Sequence, residues 1–181
     1  MKKLLITTVI ALVTIFVVAP RFVRWTSTHA KTPIGTAAFR QAILQRTLID
    51  SNTVADSDDV VALVMDWNMA PGVTATLAAF ADGKTSLYVT PGTVLTSQNR
   101  ENVQDAVERF RAAVAKRPDY FSTTADFDPP SNGHVRFYKI TRTGTYATRA
   151  EQILVLQNEG QPLHSLLVAG QSVASEIQRP N

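Results

Sequence analysis

Val60-Val-Ala-Leu-Val-Met65 is a run of six apolar residues with no polar alternation. A strand with one wet face alternates, so an unbroken run predicts a central strand covered on both faces of a sheet. Asp66 follows the run and reads as the strand's end, with Trp67 beside it. Pro71-Gly72 then marks a turn, and Val73–Phe80 returns as a second strand.

Asp82-Gly83 is a strong two-residue hairpin signal, because a type I′ turn needs positive φ at both central positions. That turn predicts Phe80 opposite Thr85, Ala78 opposite Leu87 and Thr76 opposite Val89. One face of the hairpin is then Ala78, Phe80, Leu87 and Val89. The other is Leu77, Ala79, Ser86 and Tyr88. Pro91-Gly92 ends the third strand.

Helical spacing brackets these strands. Thr36 is placed to cap a helix with Phe39, Ile43 and Thr47 on one face and Leu44 and Leu48 beside it. Val103, Ala106, Val107, Phe110, Ala113 and Val114 form one stripe of a helix from Glu101 to about Lys116, with Asn99 as its N-cap. Arg117-Pro118 stops that helix, and Asp119–Gly133 is a long loop. His134–Thr141 and Thr145–Thr148 are two more strands joined at Thr143-Gly144. Ile153–Leu156 fits strand or helix. Pro162 opens a last helix with Leu163, Leu166, Leu167, Gly170, Val173 and Ile177 on one face. The order predicts an α+β fold: about five strands in a mostly antiparallel sheet, packed with helices and preceded by an N-terminal hydrophobic helix.

That N-terminal segment carries the basic charge. The chain has a net charge of +3, from 18 Lys and Arg against 15 Asp and Glu. Five of the basic residues (Lys2, Lys3, Arg21, Arg24 and Lys31) lie within residues 1–31, where there is no acid. The body from Thr32 onward is therefore slightly acidic, and a nucleic-acid partner loses its electrostatic footprint. Leu4–Ala19 is apolar, and its sixteen residues would span about 24 Å as a helix, against a hydrocarbon core of roughly 30 Å. Residues 1–26 read as a signal-anchor, with a cleaved signal peptide as the alternative. Residues 27–35 read as a linker and 36–181 as one α+β domain. Lys2 and Lys3 favour a cytoplasmic N-terminus and an extracytoplasmic, periplasmic body; a secreted body or one on the cytoplasmic face are the alternatives.

Little in the residues points to catalysis. There is no Cys, which excludes disulfides, thiol chemistry and thiolate metal sites. His29, His134 and His164 are far apart and none is paired at helical spacing, so no metal site is expected. Asp56, Asp58 and Asp59 lack the spacing and the Gly of a calcium loop. Gly170-Gln-Ser172 lies inside a helical pattern and is no nucleophile elbow. No phosphate-cradling glycine loop occurs, and no cofactor is implied. The candidate ligand-binding residues are Asp66, Trp67, Ser86, Tyr88, His134 and Tyr138, with Arg136 between the last two. For Ser86, Tyr88, His134, Arg136 and Tyr138, ordinary cross-strand pairing is the preferred explanation, while Asp66 and Trp67 stand out as a strand end.

Val64-Met-Asp-Trp67, Phe80-Ala-Asp-Gly-Lys-Thr-Ser-Leu-Tyr88, Gly92, Val103-x-x-Ala106, Val135-Arg-Phe-Tyr138, Pro162-Leu163 and Gly170 form a signature across Val61–Ile177. On these residues the chain resembles a family of uncharacterised bacterial domains, most specifically in the DGxxSLY hairpin. The resemblance implies a glycine-rich stretch after the third strand, which here is Pro91–Ser97 with a single Gly, and it implies no activity. At fold level the element order is distantly similar to the profilin-like group that includes roadblock modules. Those place two strands before the central helix and three after it, where three and two are expected here. The reading is a membrane-tethered, non-enzymatic module that binds another protein or a second copy of itself. The rival is a small-ligand sensor or enzyme with its site near Asp66, Trp67, Tyr88, His134 and Tyr138.

Overall fold

The computed structural model describes residues 36–45, 60–90, 92–98 and 100–180, all within the unit Ile34–Asn181. The expected membrane segment, the linker, His29, Thr47, Leu48, the Asp56–Asp59 patch, Pro91 and Asn99 lie outside the described residues. The N-cap position before Glu101, expected at Asn99, is held by Arg100 with no side-chain cap hydrogen bond. Among the described residues, no helix is long and apolar enough to cross a membrane.

The fold begins with helix α1 (Thr36–Leu44). Four strands follow as an antiparallel meander: β1 (Val60–Ala70), β2 (Val73–Phe80), β3 (Lys84–Val89) and β4 (Thr93–Gln98). Helix α2 (Glu101–Ala115) and a 3-10 turn at Pro118–Tyr120 lead to β5 (Ser122–Thr123). Then come β6 (His134–Thr141), β7 (Thr145–Ala147), β8 (Glu151–Gln152), the single-turn α3 (Ile153–Leu156) and helix α4 (His164–Gln178). The sheet runs β4-β3-β2-β1-β6-β7-β5, with β8 paired to the far end of β6. Every pairing is antiparallel.

The α+β class and antiparallel sheet stand, and the expected count of about five strands is corrected to eight among the described residues. The additions are β4 and the two-residue strands β5 and β8. A two-residue strand carries no periodicity, and β4 is a polar edge whose residues are mostly exposed. The ambiguous Ile153–Leu156 is helical.

β1 lies at the centre, paired with β2 on one side and β6 on the other. Seven successive residues from Val61 to Trp67 are buried, as the unbroken apolar run requires. One face carries Leu63, Met65 and Trp67, packed with Leu77, Leu87, Phe137 and the inner stripes of α2 and α4. The expected stripe of α2 is the buried one, and Phe110 lies with its ring centroid 6.4 Å from that of Phe137. The other face carries Ala62, Val64, Ala78, Tyr88, Tyr138 and Ile140 under Ile43 and Leu44 of α1.

Two expectations about the first hairpins are corrected. β1 continues to Ala70, so Asp66 sits inside a central strand and not at its end. The β2–β3 register is also one residue away from the expected one: Ala79 pairs with Thr85, Ala78 with Ser86, Leu77 with Leu87 and Thr76 with Tyr88. The loop is therefore three residues, Ala81-Asp82-Gly83, with the left-handed conformation at Gly83 (φ 83°). Asp82 turns the chain by accepting from the Lys84 N–H at 3.1 Å. This register joins Leu77 to Leu87 on the α2–α4 face and leaves Ala78, Ser86 and Tyr88 on the α1 face. Gly83→Ala should cost about 1 kcal/mol, the penalty of a Cβ at positive φ. A lowered urea midpoint with an unchanged slope is the expected result.

Candidate functional site

Helix α1 reaches the sheet through Arg40, which the apolar stripe carries inward with Ile43 and Leu44 at i+3 and i+4. Its Nε and Nη2 both lie 2.6 Å from Asp66 Oδ2. Nη1 donates to the Phe127 carbonyl at 2.6 Å, and Nη2 points at Tyr138 Oη at 3.4 Å. Asp66 Oδ1 accepts from Thr76 Oγ1 at 2.6 Å. Asp66 is fully buried and Arg40 nearly so, and the ends of α1 are fixed by further contacts. Phe39 lies on Tyr88 with ring centroids 4.7 Å apart, and Thr145 Oγ1 donates to the Leu44 carbonyl at 3.0 Å.

Sheet register explains why these groups converge. Tyr88, Thr76, Asp66 and Arg136 occupy one cross-strand row on β3, β2, β1 and β6. Ser86, Ala78, Val64 and Tyr138 form the neighbouring row on the same face. Arg136 extends along the row's end: its Cζ sits 5.3 Å from the Tyr138 ring centroid and its Nη1 pairs with Asp126 at 2.7 Å. Beside α1 lies an open hollow of about 70 Å³, lined by Ala37, Arg40, Thr74, Thr76, Tyr88, Thr90 and Pro129.

Of the six candidate residues, Asp66, Ser86, Tyr88 and Tyr138 share this face. Trp67 points to the opposite face and packs between sheet and helices, since neighbouring residues of a strand alternate. It cannot share a site with Asp66. His134 starts β6, where a ring nitrogen is 3.0 Å from the Asn132 carbonyl of the preceding turn. Sequence reasoning missed Arg40, Thr76 and Phe127. The spacing of Arg40 to Ile43 and Leu44 was the available signal for the first; nothing marked the other two before the register was known.

Burial shapes the acidities. It pushes the Asp66 carboxyl above its ordinary 3.8, against the opposing pull of Arg40 and Thr76. Burial and the nearby Asp66 charge push the Tyr138 phenol up to about 12. Burial likewise raises Tyr88, while the Ser86 hydroxyl works the other way. Both phenols therefore stay protonated at neutral pH and serve as hydrogen-bonding groups. No group of three or more His, Asp or Glu side chains with metal-holding geometry occurs among the described residues.

Comparison of the chain with known protein families, with curated proteins and with solved structures finds no significant match.

Proposed function

We propose that this chain is a membrane-tethered protein-interaction module without catalytic chemistry of its own, its α+β body held outside the cytoplasm by residues 1–26. The observation that supports its non-catalytic part is the engagement of Asp66. Both of its oxygens are taken, by Arg40 on one side and Thr76 on the other, and it has no contact with solvent. A general acid or base must reach its substrate; this carboxylate is a strut between a helix and a sheet. The rival ligand-site reading draws on the hollow beside Tyr88. At about 70 Å³ it suits a few waters, against roughly 300 Å³ or more for sites that enclose an organic ligand.

The test has two parts. A reporter enzyme that is active only outside the cytoplasm, fused at the C-terminus, should be active and remain with membranes after alkaline carbonate washing. Lysine-reactive crosslinking of intact cells should then move the full chain into discrete higher-mass species. A chain that is inactive in the first assay, or runs only at its own mass in the second, would sink the reading.

A further inference from the structure

The two edges of the sheet are protected very differently. β5 ends one side after two residues, Ser122–Thr123, and a short edge offers little to pair with. β4 ends the other with six, Thr93–Gln98, paired to β3 in unbroken register. No other described strand pairs with it. Alternation along an antiparallel strand turns every second N–H and C=O of β4 outward, away from β3. Three of the usual guards against pairing are absent from the strand itself: TVLTSQ has no charge and no Pro, and its register with β3 shows no bulge. Thr93, Val94, Thr96 and Gln98 are exposed, Val94 at 49%, while Leu95 packs inward against the α2–α4 core.

A row of outward backbone donors and acceptors is matched by another strand. A second copy of β4 is the occupant that fits best. It has the same length, and because the strand is uncharged its own copy sets no like charges opposite one another. Twofold antiparallel pairing also restricts the register, since hydrogen-bonded and non-hydrogen-bonded pairs alternate. One residue must face its own copy on the axis, and only Leu95 or Thr96 leaves most of the strand paired.

We propose that β4 is a self-association edge, through which two copies of this chain join by antiparallel β4–β4 pairing about an axis at Leu95 or Thr96 to form one continuous sheet. The proposal rests on the interaction reading above and names its partner.

The absence of Cys makes the test direct, because a single introduced Cys can bridge only to another molecule. Facing residues on antiparallel strands have Cα atoms about 4.5–5.5 Å apart, inside the roughly 4.4–6.8 Å that a disulfide spans. Leu95→Cys and Thr96→Cys are placed singly in the full chain, in membranes, and oxidised mildly; Val168→Cys, at an exposed position on α4, is the control. At least one β4 variant should give a dimer band on a non-reducing gel about tenfold stronger than the control. Adding Val94→Lys and Thr96→Lys to Leu95→Cys should return that variant to the control level. Crosslinking no stronger than Val168→Cys at both β4 positions overturns the proposal, as does a disulfide to a different protein. If lysine-reactive crosslinking still yields higher-mass species in that case, self-pairing through β4 falls while the broader interaction reading stands.

Discussion

Arg40→Met should destabilise the protein by about 3–5 kcal/mol at neutral pH, the usual cost of stranding one half of a buried ion pair. Methionine keeps much of the apolar stem that packs beside Ile43 and Leu44, so the loss reports mainly on the charge. Asp66 is then left fully buried, with Thr76 as its hydrogen-bond donor and Arg136 acting only at longer range. Against a total stability of about 5–15 kcal/mol for a domain of this kind, that is a severe defect. The cure follows from the cause. Arg40→Met with Asp66→Asn removes the stranded charge, keeps an acceptor for Thr76, and should recover most of the loss. If the double variant is as unstable as the single one, packing and not charge holds α1 in place.

The same pair sets a pH dependence whose sign can be worked out. Burial already holds the Asp66 carboxyl above 3.8, so the folded state binds this proton more tightly than the unfolded state does. Its contribution to stability is therefore full below 3.8 and is lost as pH rises through the folded value. Removing Arg40 removes the main opposing pull and raises that value further. The deficit of Arg40→Met should thus shrink as pH is lowered from 7 toward 4. Unfolding midpoints of both proteins across that range measure it; a deficit that grows in acid would contradict the assignment.

Gly170→Leu is the second large effect, expected at about 3 kcal/mol, the upper part of the range for overpacking a core. A Cβ at Gly170 would lie 2.6 Å from Met65 Sδ and 2.9 Å from its Cε, with Phe110 Cε2 at 3.7 Å. Met65 is fully enclosed at the middle of β1 and cannot swing into solvent. Glycine inside a helix costs about 1 kcal/mol relative to alanine; here it lets α4 approach the central strand around a bulky thioether. Met65→Ala alone should also destabilise, by about 2–5 kcal/mol through the cavity it leaves. Combined, the two changes fill one another's space, and the double variant should be more stable than the sum of the singles predicts by at least about 1 kcal/mol. Strict additivity would show that α4 does not seat on Met65.

The elements that were legible beforehand are those whose pattern is long or unbroken. The six-residue apolar run marked β1 as central, and the α2 stripe named its buried residues one by one, because burial on a fixed helical period writes itself into the sequence. β4, β5 and β8 were missed because an exposed edge or a two-residue strand leaves no such trace. The hairpin register was misread at Asp82-Gly83, where the same dipeptide serves a two-residue turn or the end of a three-residue one. A slip of one residue was enough to exchange Leu77 with Ala78 between the faces.

The candidate site shows the same division. Asp66 and Tyr138 could be singled out from the chain, and so could Tyr88 and Ser86. What they face could not, since Arg40 lies 26 residues before Asp66 and Phe127 lies 87 residues after Arg40. By itself the sequence determined the class of fold, the central strand, the helix faces and the concentration of positive charge before residue 32. Those are properties of local period and composition. Tertiary structure alone decided that Trp67 and Asp66 part to opposite faces, that Asp66 pairs with Arg40, and that β4 ends the sheet with no other described strand beside it. Each of these depends on which strands are neighbours and in what register, and distant contacts leave no signature in the residues that make them.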